Sequence, residues 1–175
     1  PAELTVREDW VSEPTTEQQK QYSRAEAVYR DFVYNTYTTV NPRLSKMIHS
    51  IFWEDSTSDQ DSIYGSVCRI RERLANLVSY AAQPNSPSDD TDPLVYFLTS
   101  SHKGNAVLYA SVAVEAFRSH GIPARYVEGY HISADNIADS KNGTVLLTEA
   151  SAHAWAEVYF DGIGWLPVDV TPGFY

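Results

Sequence analysis

A chain of 175 residues with 43% hydrophobic content is long enough to bury one true core and too short for two comfortable ones. Its 23 acidic residues against 13 Lys plus Arg give a formal charge of −10, which argues against nucleic acid or an anionic lipid surface as partner and favours neutral or basic substrates. A single cysteine, Cys68, excludes an internal disulfide, and neither a signal peptide nor a run of about 18 apolar residues is present.

Residues 1–14, with Pro1, Pro14 and little periodicity, read as an extended arm or linker, and the start at Pro1 without Met points to a trimmed or processed chain. Residues 15–175 read as one domain, with N-terminal helices over 15–60 and a core over 61–175. Thr15 or Thr16, followed by Gln18 or Gln19, forms a capping box for a packing helix carrying Tyr22, Ala25, Tyr29, Phe32 and Val33 at helical spacing. Asn41-Pro42 reads as an N-cap with proline at N1, starting a short helix through Leu44, Ile48, Ile51 and Phe52.

The acidic run Glu54–Asp61 reads as a loop capping a helix whose stripe is Ile63, Val67, Ile70, Leu74, Leu77 and Val78. Cys68 lies off the centre of that stripe and reads as structural filler, not a nucleophile. Residues 83–92 form a turn-rich connector, and Asp92-Pro93 caps a short helix through Leu98.

The stretch from Lys103 to Arg125 organises the chain. Ala106, Ala110, Ala113, Val114 and Phe117 recur on one helical face. Gly121 supplies the left-handed residue after the helix, Ile122 its apolar contact, and Pro123 prevents a restart. Ala106 falls in the first turn, where backbone N–H groups lack partners and the dipole favours negative charge, so a cysteine there would be an activated thiolate.

Beyond this helix the period changes to two. Ala124–Ile132, Thr144–Thr148 after the Asn142-Gly143 turn, and the segments carrying His153 and Asp169 read as four strands, giving helices first and then an antiparallel sheet packed on the organising helix. The fold class is α+β. A hairpin centred on Asp161 sets His153 directly opposite Asp169, with a one-residue slip by a bulge at Gly162 or Gly164 as the alternative. A carboxylate beside an imidazole fixes its tautomer and favours the imidazolium. Trp155 and Trp165 flank the pair as core aromatics or as walls of a substrate groove, and Arg125 and Glu128 read as structural charges. His49, His102, His120 and His131 have no zinc-motif spacing, so no metal is expected.

The run Gly104-Asn105-Ala106, the segment RSHGIPAR from Arg118 to Arg125, HAWAEVY from His153 and GWLPVDVTP from Gly164 together resemble the transglutaminase-like cysteine-protease superfamily, over roughly residues 60 to 175. The resemblance implies a papain-like, transglutaminase-like core in which position 106 is the nucleophile, followed by His153 and Asp169. Here the nucleophile's cysteine is replaced by Ala106. It further implies a bacterial peptidase, transglutaminase or amidase acting on peptide or protein acyl groups. No cofactor and no direct membrane contact within this stretch are expected, and the implied place is the cell-surface part of a membrane-anchored protein. A pseudoenzyme binding peptide or cell-wall material, or a purely structural module, are the other readings. The backbone N–H of residue 106 is the natural oxyanion donor, while Asn105 and the tyrosines stay open for a second.

Overall fold

The computed structural model describes residues 16–55, 62–88, 90–138, 140 and 142–175. The expected arm over 1–14 and most of the loop before Ser62 lie outside these. In chain order the elements are α1 (Glu17–Tyr37), α2 (Ser45–Phe52), α3 (Ile63–Leu77), β1 (Ser79–Tyr80), α4 (Pro93–Tyr96), β2 (Lys103–Gly104), α5 (Ala106–Ser119), β3 (Ala124–Tyr130), α6 (Ala134–Ala138), β4 (Ala152–Phe160) and β5 (Gly164–Val168). Strands β3, β4 and β5 form an antiparallel sheet in that order, and β1 pairs in parallel with β2.

Helix α5 is the buried spine. Tyr109, Val112, Ala113, Ala116 and Phe117 are fully buried, and its contacts reach α2, α3, β3 and β4. It ends as the sequence dictates. The Ile122 N–H reaches the Phe117 carbonyl and the Gly121 N–H the Arg118 carbonyl, both at 3.0 Å, with Gly121 at φ +75°. Arg118 then ties this turn down through its Nε to the Ala124 carbonyl at 2.8 Å. On α3 the expected stripe is buried from Ile63 to Leu74, and Cys68 is exposed. Asp92 caps α4 by accepting from the Leu94 and Val95 N–H groups, and the chain continues into a π-helical turn over Phe97–Ser101.

Five expectations need correction. Helix α1 has its Thr16–Gln19 capping box, but of its described residues only Val33 is buried; Tyr22, Tyr29 and Phe32 stay largely exposed, so its aromatic face is not core. Asn41-Pro42 does not open α2: the Asn41 side chain accepts from the Arg43 N–H in a tight turn, and the helix starts at Ser45. Residues 144–148 do not make a strand. The Asn142-Gly143 turn is present, with both residues at positive φ, yet Leu146 is 84% exposed and finds no strand to pair with. The first sheet strand ends at Tyr130, and the unexpected α6 follows, begun by Ser133 hydrogen bonds to Asn136.

The fifth correction concerns register. Phe160 pairs with Gly164 and Ala156 with Val168, so the hairpin is centred on Gly162 instead of Asp161. Gly162 at φ +74° forms the corner that this centring requires. Continued by the same register, Asp169 lies opposite Trp155, two residues from His153. A shift of two keeps both side chains on one face.

Candidate active site

The face that carries His153 is set by the strand alternation of β4. Ala154, Ala156 and Val158 are buried toward α5, while His153, Trp155, Glu157 and Tyr159 point to the other side. On that other side the far end is covered by α1. Tyr159 Oη and the Gly162 N–H donate to Glu26, Tyr34 donates to Asp161, and the Trp165 indole donates to Tyr29 at 2.9 Å. Burial is the first cause raising the phenols of Tyr34 and Tyr159 to about 12 and holding the Asp161 carboxyl above its usual range.

At the near end His153 Nε2 meets Asp169 Oδ2 at 2.5 Å, as a diagonal rather than a directly opposite pair. The imidazole is 5% exposed. Three contacts fix the aspartate. Its second oxygen accepts from the Thr171 N–H at 2.9 Å, and its backbone carbonyl accepts from Arg71 Nε at 3.0 Å and Nη2 at 2.7 Å. With Nε2 committed to the carboxylate, Nδ1 is the nitrogen left for chemistry.

Aromatic rings hold the imidazole plane. Phe174 stacks on it with centroids 4.1 Å apart, Trp155 lies nearly parallel at 6.3 Å, and His131 meets it edge-on at 6.0 Å. Gly173 at φ +89°, with the Phe174 N–H on the Thr171 carbonyl, turns Phe174 back onto the ring. Trp155 crosses Gly129, where an added Cβ would lie 2.6 Å from its Cη2.

Position 106 approaches from the α5 side. Ala106, Ala110 and Ala154 form one small buried cluster with Tyr126 packed on it; Ala154 follows His153, and its side chain lies on the α5 face of β4 while the imidazole lies on the other. Asn105 is the N-cap of α5: its Oδ1 accepts from the Leu108 N–H at 3.3 Å, a structural use. That leaves the Ala106 and Val107 N–H groups at the open end of the helix. Of the two tryptophans named from sequence, Trp155 belongs beside the pair. Trp165 does not, since it pairs with Tyr159 six residues along β4 and packs on Tyr37 and Arg125.

The other sequence assignments sort in the same way. Arg125 and Glu157 form a cross-strand ion pair at 2.6 Å, and Glu128 accepts from the Tyr126 hydroxyl at 2.6 Å. Burial above all, then Glu128, pushes the Tyr126 phenol upward. Arg71, Thr171 and Phe174 were missed. The Asp-x-Thr spacing of an Asx turn and the Pro172-Gly173 pair were legible signals for the last two, whereas nothing local marks Arg71. Among the described residues no group of His, Cys, Asp or Glu is arranged to hold a metal ion.

A family model described as the transglutaminase-like superfamily matches residues 52–170. The chain belongs to that superfamily. It is 35% identical over 121 residues to the uncharacterized protein YebA of Bacillus subtilis, and 34% identical over 93 residues to a protein-glutamine gamma-glutamyltransferase of Pseudomonas aeruginosa. These alignments take in 67% and 53% of this chain but only 16% and 13% of the two relatives, so the chain spans a small part of their length. The crystal structure of the periplasmic domain of TgpA from Pseudomonas aeruginosa is similar with a TM-score of 0.60 and 25% identity, covering 80% of this chain and 47% of that one. The mixed fold, with an antiparallel sheet against a central helix, is thus that of the transglutaminase-like domains.

Proposed function

We propose that this domain is built for acyl chemistry on peptide or protein amides, with position 106 as the cysteine nucleophile's place, His153 as base and Asp169 as its orienter. The observation that carries this reading is the 2.5 Å contact of His153 Nε2 with an Asp169 fixed at all three of its oxygens. Such a pair holds the tautomer that frees Nδ1 and stabilises the imidazolium. A thiolate at position 106 would attack the carbonyl carbon while the backbone N–H of that same residue receives the developing oxyanion. As the C–N bond breaks, the imidazolium gives its proton to the departing amine, and water or a second amine then takes the acyl group. With Ala106 no acyl-enzyme forms, and the chain binds without turnover.

The reading is tested by Ala106→Cys. The new thiol should alkylate at neutral pH faster than Cys68, because the helix start and the imidazolium both lower a thiol's pKa from about 8.5. Amide hydrolysis or acyl transfer should appear with it and disappear in the further His153→Ala variant. A slow thiol with an ordinary pKa would remove the assignment. Alanine at position 106 itself favours a second reading, a module that keeps its groove to bind peptide or cell-wall material, and a reactive thiol without turnover would select it. The periplasmic setting of the TgpA domain supports an extracellular place, and membrane anchoring of the whole protein is part of the same proposal. No described helix is long and apolar enough to cross a membrane.

A further inference from the structure

We propose that the outer edge of β3, from Tyr126 to Tyr130, takes the substrate as an extended peptide added as a fourth strand. The inference rests on the acyl-chemistry reading for the identity of the occupant, and on backbone geometry for the place.

Hydrogen bonds just beyond the ends of the β3–β4 ladder show which groups point outward. The Tyr159 N–H reaches the Pro123 carbonyl at 3.0 Å, and the His131 N–H reaches the Ser151 carbonyl at 2.8 Å. In an antiparallel pair every second residue turns both its groups to the partner. The odd-numbered residues of β3 therefore face β4, and Ala124, Tyr126, Glu128 and Tyr130 turn their N–H and C=O away from it. Arg118 confirms the parity by donating to the outward Ala124 carbonyl. From Tyr126 onward no described strand covers this edge.

The two edges of the sheet are treated differently. On β5, Pro167 is paired with the odd-numbered Glu157, so its missing N–H falls on the outer edge and blunts it. The β3 edge has no proline and runs beside position 106, because Tyr126 packs on the Ala106, Ala110 and Ala154 cluster. A strand added there gains backbone hydrogen bonds regardless of sequence, and its alternate side chains point to the α5 side, where position 106 lies. Exposed Glu128 on that side favours a lysine or arginine opposite it, in keeping with the acidic charge of the chain.

The test uses the chain with Ala106, which cannot consume the probe. A synthetic blocked peptide, Lys-Val-Thr-Gln-Val-Thr-Lys, is added to isotope-labelled protein and amide hydrogen exchange is followed by NMR. Exchange at Tyr126, Glu128 and Tyr130 should slow, with Val127 and Gly129 unchanged. Methylating alternate peptide nitrogens should weaken binding about five- to tenfold per position in one register and leave it unaltered in the other. Glu128→Pro removes one outward donor without touching the β3–β4 ladder, and should weaken binding in the same range. Protection elsewhere, no binding at millimolar peptide, or equal effects in both methylation registers would overturn the proposal. Protection of the same amides without peptide, growing with protein concentration as the mass doubles, would overturn it in favour of a second copy at the edge. Turnover by Ala106→Cys with no alternation would sink the edge alone, and alternation without turnover would sink the acyl chemistry alone.

Discussion

Arg71→Ala tests how far the His153–Asp169 geometry depends on a residue from the helical half of the chain. The guanidinium donates twice to one backbone carbonyl, at 3.0 and 2.7 Å, and lies 4.1 Å from the Tyr175 ring centroid. Charged donors contribute about 1.5–3 kcal/mol per bond, and because both share one acceptor a total of about 2–3 kcal/mol is expected on their loss. For a chain of this size that lowers Tm by roughly 4–12 °C. The functional effect is separate from the thermal one. With its carbonyl released, Asp169 keeps only the Thr171 N–H besides the imidazole itself, and a carboxylate that holds the bonded geometry a tenth of the time slows the dependent step about tenfold. In the Ala106→Cys background, the pH profile of iodoacetamide alkylation and the two imidazole nitrogen shifts of His153 report this directly. Arg71→Lys retains the charge but not the fork and should recover only part of the rate. Unchanged nitrogen shifts and an unchanged alkylation profile, despite the lower Tm, would refute the argument.

Three further outcomes follow from the same geometry. Asp169→Ala should release the His153 ring from its single tautomer, and unchanged imidazole nitrogen shifts would contradict the 2.5 Å contact. Gly129→Ala places a Cβ 2.6 Å from Trp155 Cη2, so the indole must retreat by about 1 Å, at a net cost of about 1–3 kcal/mol. Calorimetry should show the cost, and near-UV circular dichroism the altered indole. Tyr34, Tyr109 and Tyr159 have phenols raised to about 12 in the folded chain, burial being the first cause. The folded state therefore keeps protons that the unfolded chain sheds near pH 10, and stability falls as pH rises between 10 and 12. Absorbance titration should show these tyrosines ionising only with unfolding; ionisation at ordinary pH in the folded chain would count against their burial.

What could be read in advance was local. The α5 stripe, its Gly121 ending, the Thr16 and Asp92 caps and the strand character around His153 and Asp169 each rest on residues close in sequence, and each is present. The failures are tertiary. Tyr22, Tyr29 and Phe32 have helical spacing yet stay largely exposed, because α1 docks through Glu26, Tyr34 and Tyr29 on the β4–β5 hairpin. The hairpin centre moved by one residue because Gly162, not Asp161, holds the left-handed corner. The His153–Asp169 pairing survived that error because the resulting displacement along the strand was an even number of residues. Thr144–Thr148 shows that alternation without a neighbouring strand does not make one.

The bond from Arg71 to Asp169 joins residues 98 apart in sequence, whereas Arg118 closes onto Ala124 across only six. Contacts of such different span are not made at the same time during folding, since loop closure over the longer stretch costs more entropy before anything is returned. The α5–β3 corner can form as a local unit, and the aspartate is locked only after β5 has docked and α3 has come alongside. A chain arrested before that last closure would hold the platform for position 106 and the β3 edge while its imidazole had no fixed acceptor. Order of assembly thus gives the β3 edge a head start over the His153–Asp169 pair.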